Sequence, residues 1–160
     1  MLSIHIICVG RLKEKFYIEA SAEYAKRLSG YCRFQLAELP EERLPEKPSQ
    51  AQIESGLARE GAAILQRLPK GGAVIAMCVE GKSLSSEALS GRMADWAGQG
   101  KSQLTFLIGS SYALHTSVKE RADLKLSLSP MTFPHHLARV MLLEQIYRGF
   151  KIMEGSSYHK

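Results

Sequence analysis

The sequence predicts an α/β protein built on a mostly parallel sheet. Apolar, β-branched runs alternate with segments whose apolar residues recur at helical spacing, which is the pattern of strand–helix units packed on a parallel sheet. The chain has 160 residues, of which 45% are apolar and 23% are charged, and it shows no internal repeat or low-complexity tract. These values predict one domain, residues 1–160, that buries a core without help from disulfides or a structural metal.

The first half of the chain is predicted to hold two strands and two helices. The first strand, residues 2–9, is an apolar run without the basic leader and small-residue cleavage site of a signal peptide. A segment of helical period at 14–28 and a second apolar run at 33–39 follow it. Residues 40–48 are rich in proline and charge but number only nine, so they are predicted to form a surface loop before a helix at 49–68.

The second half continues the same alternation. A strand at 73–79 and a helix at 85–97 precede a strand at 103–108, a short helix at 115–122 and a strand at 124–128. No apolar run approaches the ~18 residues that cross a membrane. We therefore expect a cytosolic protein.

The final predicted helix, from residue 134 to about 153, is apolar around most of its girth. Pro134 suits the first helical position, and Thr132 is placed to help cap the helix. Residues 140–143 are apolar in succession, whereas a surface helix shows one apolar stripe. The helix is therefore either central in the monomer or shared between two copies, and we favour a homodimer, with Leu142 as one candidate interface residue.

Charge and cysteine content narrow the function classes. The chain carries 21 Lys and Arg against 16 Asp and Glu, a net charge of +5 with neutral histidines. This excess suits a polyanion such as nucleic acid, although many basic proteins only solvate their charge. The three cysteines are odd in number and have no CxxC spacing, so they are predicted to be buried and reduced: Cys8, Cys32 and Cys78.

Several kinds of enzyme are disfavoured because their motifs are missing. The chain has no GxGxxG dinucleotide fingerprint, no GxSxG nucleophile elbow and no HExxH zinc motif. Gly-Lys-Ser triplets at 81–83 and 100–102 lack the earlier glycine of a phosphate-binding P-loop. Adjacent His135 and His136 point about 100° apart on a helix, which does not suit one shared metal. We expect no metal.

Glycine follows three of the predicted strands, at Gly10, Gly81 and Gly109. In open α/β sheets ligands bind beyond the carboxyl ends of the strands, where the backbone must approach the ligand closely. The three glycines therefore predict a small-molecule cleft at this edge.

The chain ends in Tyr-His-Lys at 158–160. These side chains can stack on a base, move a proton and pair with a phosphate, although the ends of a chain usually have no such function.

Specific motifs fill the C-terminal part of the chain. They are Phe106-Leu107-Ile108-Gly109, Leu128-Ser129-Pro130-Met131-Thr132-Phe133-Pro134-His135, Arg139, Glu144-Gln145-Ile146-Tyr147-Arg148 and Tyr158-His159-Lys160. This pattern resembles the RlmH family of SPOUT methyltransferases over the whole chain. The resemblance implies a homodimer whose α/β domain carries a C-terminal trefoil knot. It also implies methylation of N3 of a pseudouridine in 23S rRNA on the assembled ribosome, with S-adenosylmethionine as cofactor.

The resemblance also implies site residues. Tyr158 and His159 are expected to hold the acceptor base or to help remove its proton. Arg139 and Arg148 are expected to contact phosphate or the cofactor carboxylate, with an intrahelical pair to Glu144 as an equal alternative for Arg148. The implied cofactor contacts are Met77, Gly109, Leu128, Ser129, Pro130, Met131, Thr132 and Phe133.

Two residues depart from the family pattern. Ser110 and Ala113 stand where the family usually has glycine, and both tolerate positive φ poorly, so the loop near the cofactor's amino-acid end is expected to differ. The departure leaves open a non-catalytic RNA-binding or ribosome-associated module of the same fold, which should not bind S-adenosylmethionine. A SPOUT methyltransferase acting on tRNA is disfavoured because the chain shows no appended RNA-binding domain.

Overall fold

The computed structural model describes residues 1–160, in which five strands and five helices alternate strictly. The strands are β1 (Ser3–Val9), β2 (Arg33–Leu39), β3 (Ala73–Ser83), β4 (Gln103–Ile108) and β5 (Leu124–Ser127). The helices are α1 (Lys15–Leu28), α2 (Gln50–Arg67), α3 (Ser86–Gly98), α4 (Thr116–Arg121) and α5 (His135–Met153). The predicted order of elements is confirmed.

All five strands run parallel in the order β2-β1-β4-β3-β5. Helix α5 packs between α1 and α3 on one face of the sheet, while α2 and α4 pack together on the other. The predicted α/β class with a parallel sheet is therefore confirmed, and the trefoil knot stays a prediction from the resemblance. None of the five helices combines the length and apolar character that a membrane crossing requires.

Strand β1 shows why the strands are continuous apolar runs. Ile4 and Ile6 join the core beneath α1, α3 and α5, whereas Ile7 and Val9 join the core beneath α2 and α4. A strand covered on both faces buries successive residues rather than alternate ones. The predicted burial of the free cysteines is confirmed for all three: Cys8, Cys32 and Cys78.

Strand β3 is longer than the sequence predicts. It continues to Ser83 and pairs with β5 again after an irregularity between Met77 and Lys82. The prediction that Gly81 follows this strand is therefore wrong, because Gly81 lies inside it. A Cβ at Gly81 would stand 2.8 Å from the carbonyl group of Lys125, so glycine lets β5 approach. The polar end of the strand has no apolar period that could have revealed this pairing.

Helix α5 corrects three expectations, which concern Pro134, Thr132 and Leu142. It begins at His135 with Pro134 in the preceding cap position and without a side-chain cap, so Thr132 does not cap it. Leu142 and Leu143 are both 0% exposed and belong to the core between α1 and α3. Leu142 is therefore wrong as a candidate interface residue, because neighbouring helices on two sides of α5 bury successive apolar positions.

Candidate functional site

A cavity of about 510 Å³ opens beyond the carboxyl ends of β4 and β5, beside residues 77–79 in the middle of β3. Its volume lies in the range of small-molecule sites, and most of its wall is apolar. The structure brings seven of the eight predicted cofactor residues into this wall, and Pro130, in the same segment, is the one that does not line it. The lining residues are Met77, Cys78, Val79, Ile108, Gly109, Ser110, Ser111, Ala113, Leu126, Leu128, Ser129, Met131, Thr132, Phe133, Pro134, His135 and Ala138.

A second cavity of about 430 Å³ lies along β1 and β2. His5, Gln35 and Arg67 are among its lining residues, and it follows the strands instead of opening at their carboxyl ends. Ligands in open parallel sheets bind at the carboxyl ends, so the first cavity is the candidate site. No group of three or more His, Cys, Asp or Glu side chains is arranged to hold a metal ion.

The β4–α4 loop, residues 109–113, forms one side of the cavity and is folded on itself. A Cβ at Gly109 would stand 2.2 Å from the carbonyl oxygen of Ala113, so only glycine fits there. Ala113 has φ of +71°, and its amide donates to the Ser110 carbonyl at 2.8 Å. Of the two departures from the family pattern, Ser110 lies outside the left-handed region and Ala113 adopts it. The loop therefore contains one strained residue.

The segment after β5 forms the opposite side. The Ser127 hydroxyl donates to the carbonyl of Ser129 at 2.9 Å, and the Ser129 hydroxyl accepts from the amide of Met131 at 3.0 Å. These bonds fix a tight turn at the end of the strand. Met131 is 71% exposed at the cavity, so it offers apolar surface to a bound molecule.

His135 also lines the cavity, although the sequence prediction does not include it. Its Nε2 is shielded from solvent and has no hydrogen-bond partner, and a Cβ at Gly10 would stand 3.5 Å from that atom. Burial and then the adjacent His136 lower the pKa of His135, which favours the neutral ring. Its place directly after Pro134, at the start of α5, is the sequence signal that could have found it.

Arg139 lies one turn beyond His135 and is 2% exposed. Its Nη1 donates to the Glu38 carboxylate at 2.7 Å, and its Nη2 donates to the Gly10 carbonyl at 3.0 Å. These bonds join α5 to the ends of β1 and β2. In this arrangement two of the three guanidinium nitrogens are bonded within the chain, and the third, Nε, is buried without a hydrogen-bond partner.

The C-terminal tail folds back over α5 and α3 and does not line the cavity of its own chain. The Nε2 of His159 lies 2.6 Å from the Glu87 carboxylate, and its Nδ1 lies 3.2 Å from Arg148. The Tyr158 ring lies 4.8 Å from the Arg148 guanidinium. Arg148 also pairs with Glu144 at 2.6 Å, the intrahelical alternative. A single chain therefore leaves Tyr158 and His159 apart from the predicted cofactor residues.

Comparison with known proteins identifies the family of this chain. A family model described as predicted SPOUT methyltransferase matches residues 2–159. The chain belongs to the SPOUT methyltransferase family. It is 46% identical over 160 residues to a protein of Moorella thermoacetica named ribosomal RNA large subunit methyltransferase H, and the match covers all of both chains. The resemblance stated from the sequence motifs is confirmed.

A solved structure shares the fold of this chain, and the similarity concerns the fold alone. It is that of a probable methylase family protein from Haemophilus influenzae Rd KW20, with a TM-score of 0.56 and 11% identity. The similarity covers 98% of this chain and 70% of the other. Membership of the SPOUT methyltransferases implies a methyl donor, for which the cavity beyond the carboxyl ends of β4 and β5 is the candidate site.

Proposed function

We propose that this protein methylates N3 of a pseudouridine in 23S rRNA on the assembled ribosome, in the cytoplasm, with S-adenosylmethionine as donor. The family and the name of the Moorella relative support methyl transfer to ribosomal RNA. The observation that carries the proposal is the cavity beyond the ends of the parallel strands β4 and β5, whose lining contains the family's motif segments. The net charge of +5 suits an RNA substrate.

The residues of the cavity fit this donor. Met77, Leu128 and Phe133 provide apolar walls for an adenosyl group, and the backbone groups of 109–113 and of the turn at Ser129 can meet its polar edges. When bound, S-adenosylmethionine supplies an electrophilic methyl group on a sulfonium. The protein's main contribution is to hold the acceptor nitrogen in line with that methyl, since orientation alone can supply a large acceleration.

The active unit in this proposal is a homodimer formed through α5. Val140 and Met141 of α5 are only partly buried, and Phe16 and Ile18 of the adjoining α1 are 63% and 46% exposed. Apolar side chains on two neighbouring helices offer a surface for a second copy. Leu142 takes no part, because it lies in the core.

In the proposed homodimer, the C-terminal tail of one subunit contributes to the active site of the other. Tyr158 and His159 lie outside the cavity of their own chain, so we propose that they serve the cavity of the partner subunit. The acceptor imide nitrogen must lose its proton, and His159 can receive it. The Glu87 carboxylate, 2.6 Å from the Nε2 of His159, orients the ring. Tyr158 offers a face for the target base.

The test is mass-spectrometric mapping of 23S rRNA from cells with and without the gene, complemented by wild type or by variants. Wild type should restore one methyl group on a pseudouridine. His159→Ala should reduce its rate of formation about 100-fold, the size of a lost proton-transfer contact. His5→Gln is the matched control, since His5 lies in β1 near its amino end, and it should complement fully.

Two results would contradict the proposal in different ways. An unchanged modification pattern in cells without the gene would exclude 23S rRNA as the substrate. A purified protein that binds RNA but not S-adenosylmethionine in calorimetry would instead be the non-catalytic module of the same fold.

A further inference from the structure

A buried carboxylate on α2 is bonded to the β4–α4 loop from outside the cavity. Glu60 is 6% exposed. Its Oε1 accepts a hydrogen bond from the Ser110 hydroxyl at 2.9 Å, and its Oε2 accepts one from the Glu42 amide at 2.9 Å. Burying a carboxylate is unfavourable unless hydrogen bonds satisfy it. Glu60 therefore depends on these two donors, one of which belongs to the cavity wall.

Ser110 couples the carboxylate to the cavity. It is 5% exposed, follows Gly109 directly and lines the cavity. Its carbonyl accepts from the amide of Ala113, and the two residues form an isolated bridge. The Ser110 side chain thus fixes the loop to α2, while its backbone fixes the far end of the loop.

The loop needs such an anchor because Ala113 occupies the left-handed region, which disfavours any residue with a Cβ. The other hydrogen bond from a loop side chain, from Ser111 to Glu41, is 3.4 Å long and exposed. The bond between Ser110 and Glu60 is shorter and shielded from water. A charge-assisted hydrogen bond in such surroundings is stronger than an exposed one.

We propose that Glu60 is a positioning residue of the methyl-donor site, which acts through Ser110 by holding the β4–α4 loop in its donor-binding shape. The inference rests on the proposed function for the identity of the donor. Glu60 does not line the cavity, so its effect on the donor is indirect. Burial raises the pKa of Glu60, and the hydrogen bonds from the Glu42 amide and Ser110 oppose that rise, so both donors stabilise the charged form.

The test uses the full chain with Ser110→Ala, Glu60→Gln and both changes together. Each single variant should bind S-adenosylmethionine about tenfold more weakly in calorimetry, since a hydrogen bond to a charged group is lost or weakened. The double variant should bind no more than about twofold more weakly than either single variant, because both changes affect the same bond. In turnover assays the KM for the donor should rise about tenfold, with kcat at saturating donor unchanged.

A second measurement is hydrogen exchange of the amides at 109–113 in the protein without donor. Exchange there should be faster in Ser110→Ala and in Glu60→Gln than in wild type. Glu19→Gln is the matched control, because Glu19 is exposed on α1, pairs with Lys15 of the same helix and does not line the cavity. This control should match wild type in both measurements.

The outcomes separate the two proposals. Wild-type donor affinity and unchanged loop exchange in Ser110→Ala would overturn the positioning role, as would losses that add fully in the double variant. Ser110→Ala removes only a hydroxyl, so it decides the question even if Glu60→Gln fails to fold. A wild-type protein that does not bind S-adenosylmethionine would refute the proposed donor, while loop exchange would still show whether Glu60 holds the loop.

Discussion

Replacing Ala113 with glycine should stabilise the protein. Ala113 is the one non-glycine residue with positive φ, at +71°. That conformation costs a residue with a Cβ about 1–2 kcal/mol, because the Cβ crowds a neighbouring carbonyl oxygen, and it costs glycine almost nothing. The Ala113 side chain is exposed, so its removal loses little apolar burial, and the amide bond to Ser110 is retained.

The net magnitude follows from two opposing terms. Relief of the left-handed strain favours the glycine variant by about 1–2 kcal/mol. The greater freedom of glycine in the unfolded chain subtracts roughly 0.4–1 kcal/mol. The free energy of unfolding should therefore rise by about 0.8 kcal/mol, the difference between the midpoints of the two terms. In a chain of 160 residues this corresponds to a Tm higher by about 1–4 °C.

The assay is thermal and urea unfolding followed by circular dichroism, with Ala62→Gly as the control. Ala62 is exposed in the interior of α2, where the same substitution should lower the free energy of unfolding by about 1 kcal/mol. The two variants should thus shift Tm in opposite directions. A drop in Tm for Ala113→Gly similar to that of the control would refute the assignment of strain to this residue.

Three further predictions follow from the same structure. Gly109→Ala should lower the free energy of unfolding by about 1–3 kcal/mol, because its Cβ would stand 2.2 Å from the Ala113 carbonyl oxygen; urea titration with an unchanged midpoint would contradict this. Met141→Asp should convert the proposed dimer to a folded monomer, as measured by sedimentation. Leu142→Asp should instead unfold the chain, because Leu142 is 0% exposed. A Met141→Asp protein that remains dimeric would exclude the proposed interface on α5. Burial lowers the pKa of His135 below 6.5, so as pH falls the unfolded chain takes up this proton before the folded chain does. The free energy of unfolding should therefore fall as pH drops below about 6.5. His135→Gln should weaken this dependence of the unfolding free energy on pH, and an equal dependence in wild type and variant would argue against the prediction.

The sequence by itself determined the order and type of the elements. Strands that helices cover on both faces, such as β1, can be recognised in the sequence as continuous apolar runs. Burial of both faces removes the alternation of apolar and polar residues that a half-exposed strand shows. Glycine after β1 and β4, at Gly10 and Gly109, located the edge at which the cavity opens. The specific motifs near the C-terminus identified the family.

Only the tertiary structure decided which side chains meet. The bond between Glu60 and Ser110 joins residues 50 positions apart, and that between Arg139 and Glu38 joins residues 101 apart. Local periodicity shows that a segment has an apolar side, but it does not show which element covers that side. The inward position of Leu142 and the extra pairing around Gly81 therefore depend on the order of strands and on the helices beside α5, which no local pattern encodes.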